Sequence, residues 1–259
     1  LIYLVGDWLS GRRVGLVAAF LLAINPLHIF YAQEVRMYAL VALWALLALG
    51  AAGRWLGLGR RIRGDTQPAA WGWLAGYVAA ITLALYTQYY AAFLLLGLTA
   101  AGGLVLWRLQ AGRERMLIWL GAQGAALLLF IPWLLYATPR LIPYISQKIV
   151  ADSDQPLSLP LYLARHLAAY SAGHLEGPLA DWWPLGLLGL VLLLVGLAQL
   201  ARRRPLEPGR GLTLAFLGIV VGVVLGLGWL VNLGYPFFPE RGERLLLLGL
   251  PAFLLLLAA

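Results

Sequence analysis

Within five residues, Glu34, Arg36 and Tyr38 bring together a carboxylate, a guanidinium and a phenol between two apolar runs. A carboxylate can act as a general acid or base, and a guanidinium pairs with anionic groups through charge-assisted hydrogen bonds. The stretch opens with Asn25, Pro26, Leu27 and His28 and reaches Gln33, Glu34, Val35, Arg36, Met37 and Tyr38. Because the connection is so tight, Glu34 and Arg36 are expected at or just below lipid headgroups. Ionisable residues at that depth are functional candidates by default. A helix running on from Glu34 would carry Tyr38 one turn further on the same face, with His28 about two turns earlier. The plainer reading is that Glu34 and Arg36 end a span and snorkel into water, and that His28 is a satisfied structural histidine.

Two further stretches have a similar character. Tyr86, Thr87, Gln88, Tyr89 and Tyr90 lie at another turn between apolar runs, where tyrosines ordinarily form an interfacial belt. The segment from Tyr235 to Arg244 holds two prolines and aromatics among four charged residues, Glu240, Arg241, Glu243 and Arg244. Arg244 opens an apolar helix, so it is placed either to bind a phosphate near the headgroups or to anchor the span.

The elements that must position these residues are membrane spans. Hydrophobic residues make up 62% of the 259 and charged residues only 12%, with a mean hydropathy of +0.83. A soluble domain has roughly 45–50% apolar and about 25% charged residues, so a water-soluble globule is excluded. A bilayer helix needs about 20 apolar residues. Candidates fall at roughly 14–31, 37–55, 69–87, 90–108, 116–136, 183–201, 211–233 and 245–259, with 1–9 as the end of one more. Their interiors carry no Asp, Glu, Lys or Arg. The expected fold class is therefore all-α, a polytopic transmembrane bundle of about eight spans. An apolar opening at Leu1 and close at Ala259, with no leader pattern, are expected of a fragment, its region 1–259 forming one transmembrane catalytic unit.

Orientation follows from the arginines. Arg12 and Arg13, then Arg54, Arg60, Arg61 and Arg63, then Arg108, Arg113 and Arg115, then Arg202, Arg203, Arg204 and Arg210 fall in one set of loops. The opposite set holds Arg36, Arg140, Lys148, Arg165, Arg241 and Arg244, so the first set is expected to be cytoplasmic. Glu34, Asp152, Asp154, Glu176, Asp181, Glu240 and Glu243 fall on the outer side, as do His28, His166 and His174. The net charge of +8 thus reflects topology, and nucleic acid is not expected as a partner, since no basic stretch interleaves with aromatics as in a nucleic-acid groove. The absence of cysteine excludes disulfides, thiolate metal sites and cysteine nucleophiles.

One outer loop is long, 137–182. Ser158, Leu159 and Pro160 read as a helix start within it. Leu159, Leu163, Leu167 and Tyr170 then recur at helical spacing around Arg165 and His166, which predicts an amphipathic helix on the outer interface. Trp133, Trp182 and Trp183 suit an aromatic belt.

Taken in order, three segments resemble a known family. The run Gly15, Leu16, Val17, Ala18, Ala19, then Asn25 to His28, then Gln33 to Leu40 resembles the outer-loop signature of the GT-C glycosyltransferases. The nearest likeness is to the bacterial branch of the dolichyl-phosphate-mannose protein mannosyltransferase type, glycosyltransferase family 39 and its relatives. Tyr86 to Tyr90, and Arg244 followed by Pro251, Ala252, Phe253 and Leu254, fit the same branch. The resemblance implies inverting transfer of one sugar from a polyprenyl-phosphate donor to a lipid, glycan or protein acceptor, on the outer face of a plasma or inner membrane. It implies Glu34, Arg36 and Tyr38 as catalytic groups and His28, Gln33, Gln88, Tyr89, Tyr90 and Arg244 as substrate-binding groups. Relatives often carry a histidine where this chain has Gln88, and an acidic residue in a first outer loop upstream of Leu1. No cofactor and no metal is expected, a divalent cation being the one addition that the chemistry would admit. A transporter or flippase of envelope precursors is the alternative, with a non-catalytic envelope scaffold behind it. Transporters usually place ionisable groups or broken helices near the midplane, whereas here the polar groups gather at one edge.

Overall fold

A computed structural model describes residues 1–59, 71–151, 155–173, 208–236 and 242–259. Every regular element among these residues is helical. In chain order they are α1 (Ile2–Ser10), α2 (Arg12–Ile24), α3 (Pro26–Gln33), α4 (Tyr38–Leu56), α5 (Trp71–Thr87), α6 (Ala91–Arg108), α7 (Gly112–Ala151), α8 (Leu159–Ala172), α9 (Pro208–Gly234), a 3-10 segment (Gly242–Gly249) and α10 (Leu250–Ala258).

The protein is membrane-embedded and all-helical in its described parts. Four helices, α4, α6, α7 and α9, are long and apolar enough to cross a bilayer, and α2 with α3 would make a fifth as one broken span. Three expected spans take another form. The 14–31 run bends by 57° between α2 and α3. Pro26 has no N–H to offer the Leu22 carbonyl, and the Asn25 N–H takes that carbonyl at 3.3 Å instead. Asn25 also caps α3 by accepting the His28 N–H at 2.9 Å. The 245–259 run divides at Gly249 into the 3-10 segment and α10, with Pro251 in the first turn of α10. The 69–87 run is the 17-residue α5 over its described part. The 183–201 run lies outside the described residues.

The 137–182 loop also begins differently, because α7 continues as helix to Ala151. Pro132, Pro139 and Pro143 fall close to whole turns apart, so their missing N–H groups share one face. A helix so marked bends without breaking. In an apolar setting the remaining backbone groups have no better partners than each other.

Close approach of small residues sets the hairpin of α1 and α2. A Cβ on Gly6 would lie 2.8 Å from the Gly15 Cα, and one on Gly15 would lie 2.5 Å from the Tyr3 carbonyl oxygen. Backbones can meet this closely only where side chains are absent. Gly11, with φ of 98°, turns the chain between the two helices. Around this hairpin α4 is the central helix, its apolar stretch 67% buried, while α7 flanks the bundle with 28% buried.

The two ends of α4 differ in chemistry. At its C-terminal end the Arg54 guanidinium lies over Trp8 and Trp73, 5.4 and 5.1 Å from their ring centres. Arg115 donates to the Trp55 carbonyl at 3.3 Å and covers the Trp55 ring. Arg54 and Arg115, from two of the loops that sequence groups together, thus share one end of the bundle. Tyr38, at the other end of α4, is about 24 Å away at 1.5 Å per residue.

Candidate functional site

The Tyr38 end of the bundle is assembled from α3, α4, the α5–α6 turn, α8 and the 3-10 segment. Glu34 ends α3 in extended backbone, and the Arg36 N–H closes a three-residue turn onto the Glu34 carbonyl at 2.8 Å. Helix does not run from Glu34 to Tyr38. The chain turns through 34–37, and Tyr38 begins a new helix, so the expected one-turn relation of Glu34 and Tyr38 is replaced by a corner.

At that corner three elements meet. The Tyr31 hydroxyl donates to Oε1 of Glu243 at 3.0 Å, and both residues are buried. The Tyr38 ring packs edge-on against Tyr31, with centroids 5.3 Å apart. The Arg244 guanidinium lies 5.8 Å over the Tyr38 ring. Glu34, Glu243 and Arg244 all act electrostatically on the Tyr31 hydroxyl. Glu34 and Arg244 are each half-buried, and each keeps a buried atom, Oε2 and Nε respectively, with no hydrogen-bond partner among the described residues.

Gln88 reaches the same place from the α5–α6 turn. Its Nε2 donates to the Leu245 carbonyl at 3.0 Å, while its Oε1 is buried without a partner among the described residues. From the other side, Tyr170 of α8 donates to the Leu246 carbonyl at 2.5 Å and accepts on its own carbonyl from Asn25 at 2.7 Å.

Helix α8 begins at Ser158 as expected, with a Pro in its first turn, but the face it buries is not the leucine stripe. Leu159 and Leu167 are exposed, whereas Tyr162, His166 and Tyr170, three residues further round, are fully buried. The reason lies opposite. A Cβ on Gly228 would stand 2.3 Å from the Tyr162 hydroxyl, and one on Gly249 would stand 2.8 Å from that of Tyr170. Two glycines therefore make room for two phenols, while Leu163 is partly buried and Leu159 and Leu167 are left outside. Trp229 and Asn232 of α9 fasten the start of α8 by donating to the Leu157 carbonyl, each at 3.3 Å. Burial pushes the His166 imidazole down to about 4, against a smaller opposing pull from the Tyr162 carbonyl 3.1 Å from its Nδ1.

Of the residues singled out in the sequence, the structure gathers Glu34, Tyr38, Gln88 and Arg244. Tyr90 is half-buried against Phe93 and lies within electrostatic reach of Tyr162 and Tyr235. Tyr89 belongs elsewhere: it is exposed and accepts from Trp133 Nε1 at 3.2 Å, among the aromatics that face α7. Gln33 and Arg36 are exposed. His28 is half-buried, tied to it only through its backbone bond to Asn25. Sequence reasoning passed over Tyr31, Glu243 and Tyr170 as site residues. Tyr31 and Glu243 sit inside stretches that it marked, but nothing in their spacing pairs positions so far apart. Among the described residues no group of three or more His, Asp or Glu could hold a metal ion.

Comparisons with protein-family models, with curated proteins and with solved structures gave no match. The chemistry of the site therefore rests on its own geometry. It offers a half-buried carboxylate, a guanidinium with donor capacity in hand and a wall of phenols, at the end of α4 away from Arg54 and Arg115.

Proposed function

We propose that the chain is a membrane glycosyltransferase that moves a sugar from a polyprenyl-phosphate donor to a lipid, glycan or protein hydroxyl. The bundle would have about eight spans in an inner or plasma membrane, with its active site on the outer face. The observation that carries this reading is the meeting of Glu34 and Arg244 at one corner, each with an atom not yet hydrogen-bonded. An anionic group fits Arg244, and a hydroxyl proton fits Glu34.

In the step that follows from this, the acceptor oxygen bonds to the anomeric carbon while its proton passes to the Glu34 carboxylate. The bond from that carbon to the phosphate oxygen breaks, and the electron pair leaves with the polyprenyl phosphate, inverting the anomeric centre. Arg244 stabilises the charge that builds on the leaving phosphate. Tyr38 supports the Arg244 guanidinium with its ring, and Gln88 holds the backbone beside it. Arg36, His28, Gln33, Tyr89 and Tyr90 are assigned to the approach of donor headgroup and acceptor. No resident cofactor is required by this chemistry.

The test uses full-length protein in detergent–lipid micelles with labelled polyprenyl-phosphate sugars and a membrane extract as acceptor. Wild type is expected to release label from one donor, and Glu34→Gln to do so about 10²-fold or more slowly, the range for a general base. Wild type that consumes no donor would remove the enzyme reading and direct attention to transport of a similar lipid. Equal rates would keep the class and remove Glu34 from its role.

A further inference from the structure

Three side chains from three parts of the fold grip the 3-10 segment. Tyr31 of α3 binds the Glu243 side chain, Gln88 binds the Leu245 carbonyl and Tyr170 of α8 binds the Leu246 carbonyl. The segment is two short helical pieces joined across a kink at Leu246, where the backbone departs from helix at φ −106° and ψ 15°. Runs of 3-10 helix beyond three or four residues are uncommon because their hydrogen-bond geometry is poor. The kink keeps each piece short, outside donors take the Leu245 and Leu246 carbonyls beside it, and a buried carboxylate lies in the first turn. Arg244 stands between the first two grips.

We propose that Tyr31 and Glu243 are positioning residues that set the Arg244 guanidinium for a lipid-linked phosphate, an inference that rests on the donor reading above. Arginine has a long, flexible side chain, and ordering it on binding opposes affinity. Here the order is built in beforehand. Glu243 fixes the residue preceding Arg244, Tyr31 fixes Glu243, and the Tyr31 ring holds edge-on the Tyr38 ring over which the guanidinium lies. The Nε of Arg244 has no hydrogen-bond partner among the described residues. Tyr31 thus touches nothing that reacts, and acts through Arg244.

The experiment is a double-mutant cycle on the full-length protein in lipid nanodiscs, with unglycosylated polyprenyl phosphate as the probe. Binding is measured well below each variant's unfolding midpoint. Tyr31→Phe and Arg244→Gln are each expected to weaken binding about tenfold, and the double variant to bind no worse than Arg244→Gln alone, a coupling within the range for residues in one network. Glu243→Asp, which keeps the charge and shortens its reach, gives a second route should Tyr31→Phe fail to fold, and is expected to couple to Arg244 in the same way. Losses that multiply would overturn the positioning role, since a merely structural defect acts independently of Arg244. Unchanged affinity in Tyr31→Phe and Glu243→Asp, with Arg244→Gln still impaired, would overturn it and leave the donor reading standing. Wild type that does not bind the probe would overturn both.

Discussion

The Tyr31 hydroxyl and the Glu243 carboxylate meet at 3.0 Å although 212 positions separate them in the chain. Both are buried, so the bond is exchanged for no water contact when it is lost. Removing a donor from a buried acceptor costs roughly 1–3 kcal/mol, more when the acceptor is charged.

Tyr31→Phe keeps the ring against Tyr38 and deletes only the hydroxyl. It is expected to lower stability by about 1–3 kcal/mol, read as a lower unfolding midpoint in lipid micelles. A midpoint equal to wild type would mean that Glu243 is satisfied without Tyr31.

The glycines facing α8 make a prediction with a built-in control. Gly228→Ala would bring a methyl group 2.3 Å from the Tyr162 hydroxyl and 2.6 Å from Leu246 Cδ1. Overpacking of this kind costs about 1–3 kcal/mol. Gly226→Ala, one of the glycines with open space around it, should leave the midpoint at or above the wild-type value. Combining Gly228→Ala with Tyr162→Phe removes the nearest clashing atom and should recover part of the loss. Equal tolerance of both alanines would contradict the packing described for α8.

Acid should loosen the same helix. His166 is held neutral by burial in the folded protein, with its ionisation pushed down to about 4, and regains its ordinary value of 6.5 on unfolding. The unfolded chain therefore binds the extra proton first. Stability is intact above about pH 6.5 and falls as pH drops towards about 4, by up to roughly 3 kcal/mol at 1.36 kcal/mol per unit. His166→Phe should flatten that window in a series of unfolding midpoints against pH. An unchanged slope would place the acid sensitivity elsewhere.

At the heart of the bundle, Tyr77 donates to Gln123 Oε1 at 2.5 Å, and Gln123 in turn donates to the Trp119 carbonyl at 3.0 Å. Trp119 packs so close to α6 that a Cβ on Gly102 would lie 2.5 Å from its indole. Inter-helix hydrogen bonds in a bilayer contribute about 0.6 kcal/mol on average, with a maximum near 1.7. Tyr77→Phe should cost an amount in that range, whereas Gly102→Val should cost more, because backbone must move. Thermal unfolding of the two variants side by side gives the order, and the reverse order would refute it.

Much of the fold was legible because one physical rule dominates it. Backbone in an apolar medium must satisfy itself, so long apolar runs such as 37–55, 90–108 and 211–233 could hardly be anything but helix. Breaks were less legible. The bend at Pro26 and the division at Gly249 lie inside runs that remain apolar throughout, and hydropathy does not record where a carbonyl loses its N–H. The opposite holds from 137 onward, where a loop was expected and α7 simply continues past Pro139 and Pro143. Helix α8 starts where its Ser-Leu-Pro signal placed it, and Tyr170 of the expected stripe is buried, but the burial of Tyr162 and His166 was not legible, since leucine periodicity says nothing of the glycines opposite. At the site, Glu34, Tyr38 and Arg244 drew notice as charges and phenols at the ends of apolar runs. Their partners Tyr31 and Glu243 did not, because a pair is a property of two distant segments and each half is unremarkable alone.

The division of this corner between the two ends of the chain also sets a timetable. Tyr31 and Tyr38 leave the ribosome long before Glu243 and Arg244. At about 5–20 residues per second the interval is on the order of 10–40 s. Throughout it, α3 and α4 are made while the segment that completes their corner is still unwritten, and α8 has neither Gly228 nor Gly249 to receive its phenols. The corner therefore closes only after Glu243 and Arg244 are made, and a nascent chain stalled before Gly242 carries none of it in working form.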